Sequence, residues 1–130
     1  MLKETFEPRF TDTDALGHIN NTRIPVWFEG ARSPVFRIFT PDLDVHNWKL
    51  MLARYEVQFH GELFYGQPVE IRTWISRLGT SSFDVSQEVW QNGERGASGT
   101  TVMVHYDHQA GKSVPLSEEL RAALSALSES

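Results

Sequence analysis

Hydrophobic and polar positions change period along this chain, and the changes mark its elements. Residues 3–10 put Phe6 and Phe10 on one side and Lys3, Thr5, Glu7 and Arg9 on the other, the two-residue alternation of a half-buried strand. Pro8 has no amide to give to a ladder, so this strand is predicted at an edge or with a bulge. A polar run, residues 11–21, then leads into a helix. Ile24, Trp27, Phe28, Ala31, Val35 and Phe39 recur at helical spacing and form one broad apolar stripe. Pro25 fits a first turn, whereas Pro34 predicts a kink or an end near Ser33.

Residues 40–50 have no clear period and read as loop with one short helical turn. Alternation then returns. Ala53, Tyr55, Val57 and Phe59 oppose Arg54, Glu56, Gln58 and His60; Val69, Ile71, Thr73 and Ile75 oppose Glu70, Arg72, Trp74 and Ser76, across the Gly61–Gly66 connection. Residues 82–91 set Phe83, Val85 and Val89 against Asp84, Ser86 and Glu88. Residues 98–107 set Val102, Val104 and Tyr106 against Thr101, Met103 and His105, and Asn92-Gly93 between them predicts a tight hairpin. After Pro115 a short amphipathic helix opens on a Ser117 cap and carries Leu120, Leu124 and Leu127 on one face. Strand, apolar helix, four closely linked antiparallel strands and a terminal helix make an α+β chain. One sheet with one face to bury, and one apolar helix to bury it, predict a sheet curled around that helix.

Composition narrows the function. The 130 residues are 40% hydrophobic, enough for one domain, 1–130, with a single core. There is no Cys, which excludes disulfide scaffolds, thiolate metal sites and cysteine nucleophiles. A net charge of -5 lacks the basic excess that draws a domain onto nucleic acid or anionic membranes. No apolar stretch approaches the ~20 residues that span a bilayer, and Glu4, Glu7 and Arg9 interrupt a signal-peptide core. The expectation is a soluble, cytoplasmic protein with no nucleic-acid or membrane partner.

Candidate chemistry concentrates in the polar run before the helix, from Asp12 and Asp14 through Gly17 and His18 to Asn20 and Asn21. Amides at a helix N-terminus stabilise a developing oxyanion, and a carboxylate beside them can act on water or on a carbonyl carbon. The plainer reading makes the same residues caps and turn formers. Asp12, Asp14 and His18 lack the fixed helical spacing of metal-ligand motifs, so no metal is expected. His46, His105 and His108 read as isolated surface or strand residues; His60, at a strand end, is placed to face a substrate. There is no Gly-x-Ser-x-Gly elbow, phosphate-binding loop or dinucleotide fingerprint.

Residues 9–32, RFTDTDALGHINNTRIPVWFEGAR, resemble the opening motif of the hotdog-fold acyl-CoA thioesterases of the 4-hydroxybenzoyl-CoA thioesterase-like group. Asp-x-Asp-x-x-Gly-His-Ile-Asn-Asn followed by an aromatic-rich helix ending Glu-x-Ala-Arg carries the likeness. Residues 55–83 are similar to the family's central strands and the turn between them. The resemblance implies an antiparallel sheet around one long helix, and dimers or tetramers with active sites where sheets join edge to edge. It implies that Asp14 is the catalytic carboxylate, as general base or as nucleophile, and that the Asn21 amide polarises the thioester carbonyl. Gly17 would allow close backbone approach, and His18 and Asn20 would orient the loop or the water. No cofactor is implied.

Two departures from the family pattern bear on the substrate. Ile24-Pro25 stands where many members have a Tyr, which alters the acyl pocket. The turn Gly79-Thr80-Ser81-Ser82 lacks the basic residues that hold nucleotide phosphates in the benzoyl-CoA enzyme, leaving Arg77 as the nearest candidate beside Ser81 and Ser82. The expected function is hydrolysis of an acyl-CoA or acyl-carrier thioester. The alternatives are a non-hydrolytic acyl-thioester-binding protein and a hotdog hydratase or dehydratase.

Overall fold

A computed structural model describes residues 1–129. Its elements follow the order β1 (Leu2–Phe6), α1 (Arg23–Ala31), α2 (Ser33–Phe39), β2 (Leu50–Phe59), β3 (Val69–Leu78), β4 (Ser82–Gln91), β5 (Glu94–Asp107), β6 (Lys112–Ser113) and α3 (Glu118–Ser125). The strands form one antiparallel sheet in the order β1-β3-β4-β5-β2, with the two-residue β6 added to β5. The sheet wraps around the central helical segment, the α+β hotdog arrangement that the resemblance implies.

Two apolar clusters fill the space between helices and sheet. Ile24, Trp27 and Phe28 of α1 meet Val69, Ile71 and Val89; Val35 and Phe39 of α2, with Leu124 of α3, meet Phe83 and Val85. Phe83 is fully buried and stacks on Phe39 at 5.5 Å, and burial of such a ring contributes about 2–3 kcal/mol. Between the clusters runs a buried polar layer of Arg32, Thr73, Gln87 and Thr101. The Ser117 cap and the Asn92-Gly93 turn form as expected: Ser117 Oγ accepts the Leu120 amide, and Asn92 and Gly93 turn β4 into β5 with φ of 52° and 79°, whereas the N-cap of α1 is Thr22, which makes no side-chain cap bond.

Several sequence expectations change in the fold. The first strand ends at Phe6 and not at residue 10. Pro8 cannot continue the ladder, the Arg9 amide donates to Asp12 Oδ2 instead, and Phe10 lies exposed in a 3-10 turn. The helix breaks at Arg32 as Pro34 requires, and Ser33 Oγ donates to the Gly30 carbonyl at the joint. β2 begins at Leu50, slips register between Leu52 and Arg54, and leaves Tyr55 and Phe59 about half exposed. Among the described residues it has no neighbour beyond it in the sheet.

In β5 the facing is the reverse of the expected one. Thr101 and Met103 point into the core, while Val102 and Val104 lie half-buried on the opposite side. The reason is pairing: Met103 sits opposite Phe83, and Thr101 opposite Val85, on the inner face of β4. The largest change is topological. β2 and β3 are consecutive but do not pair, because residues 60–68 carry the chain across the end of the sheet and β2 pairs with β5.

Candidate active site

The polar run folds back on itself before α1. Asp12 is buried, at 1% exposure; its Oδ2 accepts the Arg9 amide at 2.8 Å and its Oδ1 accepts Arg23 Nε at 2.9 Å. Asp14 is exposed. Its Oδ1 accepts the amides of Leu16 at 2.8 Å and His18 at 3.2 Å, while Oδ2 accepts from no described residue. This Asx turn holds the carboxylate in place with one oxygen uncommitted. Gly17 completes the loop at φ +82°, a left-handed value costing other residues about 1–2 kcal/mol. The space where its Cβ would stand is open, so conformation and not crowding within the chain accounts for the glycine.

The start of α1 is shaped by the paired asparagines. Asn20 Oδ1 accepts both the amide and the hydroxyl of Thr22, at 2.9 and 2.8 Å. The Asn21 carbonyl accepts the Ile24 amide at 3.3 Å, and the Asn21 amide donates to no described residue. Such unpaired amides carry the positive end of the helix dipole.

The opposite wall comes from the crossing connection, which nothing in the periodicity placed here. The Ile19 amide donates to Leu63 O at 2.8 Å, and the Tyr65 amide to Gly17 O at 3.2 Å. Buried Gln91 fastens this segment: its Nε2 donates to the carbonyls of Phe64 and Gln67, and its Oε1 accepts the Phe64 amide. The sequence did carry a sign of this, since Gln87 and Gln91 fall on the inward positions of β4 among Phe83, Val85 and Val89. On β5, a Cβ at Gly96 would sit 2.6 Å from Leu63 Cδ2, so a glycine is what lets the connection lie close.

These pieces enclose a cavity of about 300 Å³ that Asp14, His18, Asn21, Phe59, Glu62 and Gly96 help to line. His18 packs edge-on against Phe64, with Nδ1 3.4 Å from the Glu62 carboxylate. A second cavity, of about 200 Å³, follows along the same two elements, with Pro25, Phe28 and Arg32 on one side and Leu52, Tyr55 and Val57 on the other. α1 and β2 thus border two neighbouring cavities with no lining residue in common, Asp14 at the first and Arg32 at the second. The first cavity brings an acceptor for a water proton together with the start of the helix, and the second has largely apolar walls.

The remaining candidates lie elsewhere. His60 Nε2 is 2.8 Å from Ser98 Oγ, and the histidine does not line the cavity although Phe59 and Gly61 on either side of it do. Arg77, Ser81 and Ser82 stand at the far end of the sheet, about 30 Å along β4 from its Gln91 end. Arg77 Nη2 donates to Asp84 Oδ1 at 2.9 Å and Ser82 Oγ at 3.0 Å, and the Asp84 bond raises the guanidinium pKa further. It is a cation already paired. Among the described residues no three His, Asp or Glu side chains are grouped to hold a metal ion, and no helix is long and apolar enough to cross a membrane.

Comparison with known proteins agrees with this architecture. A predicted thioesterase from Bacillus stearothermophilus superposes with a TM-score of 0.93 at 37% identity, covering 98% of this chain and 96% of that one. A thioesterase from Thermus thermophilus, complexed with coenzyme A and Zn, superposes with a TM-score of 0.83 at 32% identity, covering 96% and 92%. The uncharacterized protein YsmA of Bacillus subtilis (strain 168) is 25% identical over 118 residues, 89% of this chain and 80% of that protein. The family model of the thioesterase-like superfamily matches residues 8–124. With its sheet wrapped around α1 and its polar loop in place before that helix, the chain belongs to the thioesterase-like superfamily.

Proposed function

We propose that the protein hydrolyses acyl thioesters of CoA, or of an acyl carrier with the same pantetheine arm, to the free acid and the thiol. The observation that carries this reading is the half-committed Asp14 carboxylate, its Oδ2 without a protein donor among the described residues, lining the same cavity as the Asn21 amide. Asp14 takes a proton from water as the oxygen attacks the thioester carbon, and the carbonyl oxygen becomes an oxyanion held by the Asn21 amide and the first turn of α1. Collapse expels the thiolate, which receives the proton from Asp14. In the nucleophilic variant Asp14 attacks the carbon itself, and water opens the resulting anhydride. Asn20 and His18 hold the loop in place.

A second copy of the chain completes the site in this reading. β2 is an open edge bearing exposed Leu52, Tyr55 and Phe59, a surface that invites pairing. Two β2 edges joined about a two-fold axis run antiparallel. The Asp14 end of one chain then lies beside the Arg77, Ser81 and Ser82 end of the other, residues that a single chain keeps apart.

The test is release of thiol from a panel of acyl-CoAs, followed with DTNB, for the wild type and Asp14→Asn. Turnover by the wild type, and its loss in the variant, is the expected result. Binding without turnover would make this an acyl-thioester-binding protein, and turnover that survives Asp14→Asn would remove Asp14 from the chemistry.

A further inference from the structure

Arg32 is the least expected charge in this fold. It is 6% exposed, and its Nη1 donates to Gln87 Oε1 and Thr101 Oγ1, both at 3.1 Å. Nε is buried with no acceptor, and no carboxylate among the described residues forms an ion pair with the group. Gln87 is itself locked by donating Nε2 to Phe28 O and Thr73 Oγ1, which keeps its oxygen turned toward the guanidinium. Burial lowers the Arg32 pKa from its ordinary value, and the nearby Glu29 opposes that shift. An arginine nonetheless stays charged throughout the working range. A buried cation held only by neutral oxygens is an electrostatic cost unless something else brings it an anion.

Arg32 also lines the second cavity, walled by Pro25, Phe28, Leu52, Tyr55 and Val57, next along α1 from the one that Asp14 lines. From Asn21 to Arg32 the helical rise is about 16 Å. The arginine side chain, leaning toward the start of its helix, takes up part of that distance. About 10 Å remains, the length of an acyl chain of about eight carbons. We propose that Arg32 is a specificity-determining residue that selects thioesters whose acyl group ends in a carboxylate. This rests on the hydrolytic reading of the Asp14 end and adds to it the chemistry of the far end of the substrate. The apolar walls take the methylene chain, and the terminal carboxylate meets a guanidinium whose desolvation has already occurred on folding. Glu29 and Glu56 border the same cavity but are exposed, so solvent screens their repulsion.

The experiment compares octanoyl-CoA with suberyl-CoA, the mono-thioester of octanedioic acid, for the wild type, Arg32→Met and Arg32→Lys. The wild type is expected to favour suberyl-CoA in kcat/KM by about tenfold or more. That ratio should fall to about one or below in Arg32→Met and be largely retained in Arg32→Lys. A wild type that favours octanoyl-CoA, or an Arg32→Met that keeps the preference, overturns the proposal while leaving thioester hydrolysis standing. If neither variant folds, the wild-type ratio decides alone. If the wild type hydrolyses neither thioester, the panel of acyl-CoAs decides the hydrolytic reading separately. Calorimetry then decides with two thioethers, S-(7-carboxyheptyl)-CoA and S-octyl-CoA: tighter binding of the carboxylate upholds the role of Arg32, and equal or weaker binding overturns it.

Discussion

Asp12 and Arg23 are joined by a 2.9 Å hydrogen bond from Nε to Oδ1, which ties the loop carrying Asp14 to the first turn of α1. Two residues that look alike in the sequence thus have separate situations. Asp12 is buried and bonded through both oxygens, whereas Asp14 is exposed and bonded through one.

The pair should separate stability from activity. Asp12→Asn turns one acceptor into a donor facing either the Arg9 amide or Arg23, at an expected cost of about 1–3 kcal/mol. Asp14→Asn keeps an oxygen for the Leu16 and His18 amides, so the melting temperature should hardly move while thioester hydrolysis falls by about 10²-fold or more. Denaturant unfolding beside the thiol-release assay checks both. Near-normal kcat in Asp14→Asn, or a folded Asp12→Asn that is the more damaged catalyst, reverses the assignment.

Gly17 tests whether loop shape matters independently of charge. Alanine meets no atom there but must adopt φ +82°, so Gly17→Ala should lose about 1–2 kcal/mol or shift the loop that holds Asp14. Activity should fall with the carboxylate still in the chain. An alanine variant with unchanged stability and unchanged kcat/KM would show that the left-handed turn is dispensable.

The open β2 edge predicts association. Light scattering on a sizing column should give two or four times 14.8 kDa. Replacing exposed Leu52 and Tyr55 together by Lys should shift the protein toward monomer. Leu52 and Tyr55 also wall the cavity beside Arg32, so the size of the particle, and not a loss of activity, is what this variant tests. A monomer as active as the wild type would sink the shared-site reading.

Substrate binding should depend little on charge at the β3–β4 turn. Arg77 is committed to Asp84 and Ser82, and an exposed arginine–phosphate contact is worth about 1 kcal/mol or less once screened. Acyl-pantetheine should therefore be hydrolysed within about tenfold of the matching acyl-CoA, a gap of ~1.4 kcal/mol. Added salt should change that ratio little. A hundredfold preference for acyl-CoA that collapses in high salt or in Arg77→Ala would show that the nucleotide is read by charge.

Local order was legible in the sequence because its causes are local. Period-2 and period-3.6 patterns, Pro34 at the helix break, Asn92-Gly93 at the hairpin and Ser117 at a cap each act within a few residues of themselves. The stretch from Asp12 to Asn21 was legible for the same reason as a polar loop before a helix, whereas Gly17, read as allowing close backbone approach, proves to serve a left-handed turn. What the sequence alone did not determine depends on partners far along it. Val102 and Met103 are both apolar, and only pairing with β4 decides which faces the core. The two strands flanking Gly61–Gly66 look like neighbours until β5 takes β2 as its partner, sending the connection across the sheet end to form a wall of the site. Arg32 stands in the sequence only as the last residue of the Glu-x-Ala-Arg motif. It becomes a buried cation because Gln87 and Thr101, 55 and 69 residues away, arrive beneath it with neutral oxygens. Hydrogen-bonding capacity is written in each residue, but the burial that makes such a group costly or selective exists only once the sheet has closed around the helix.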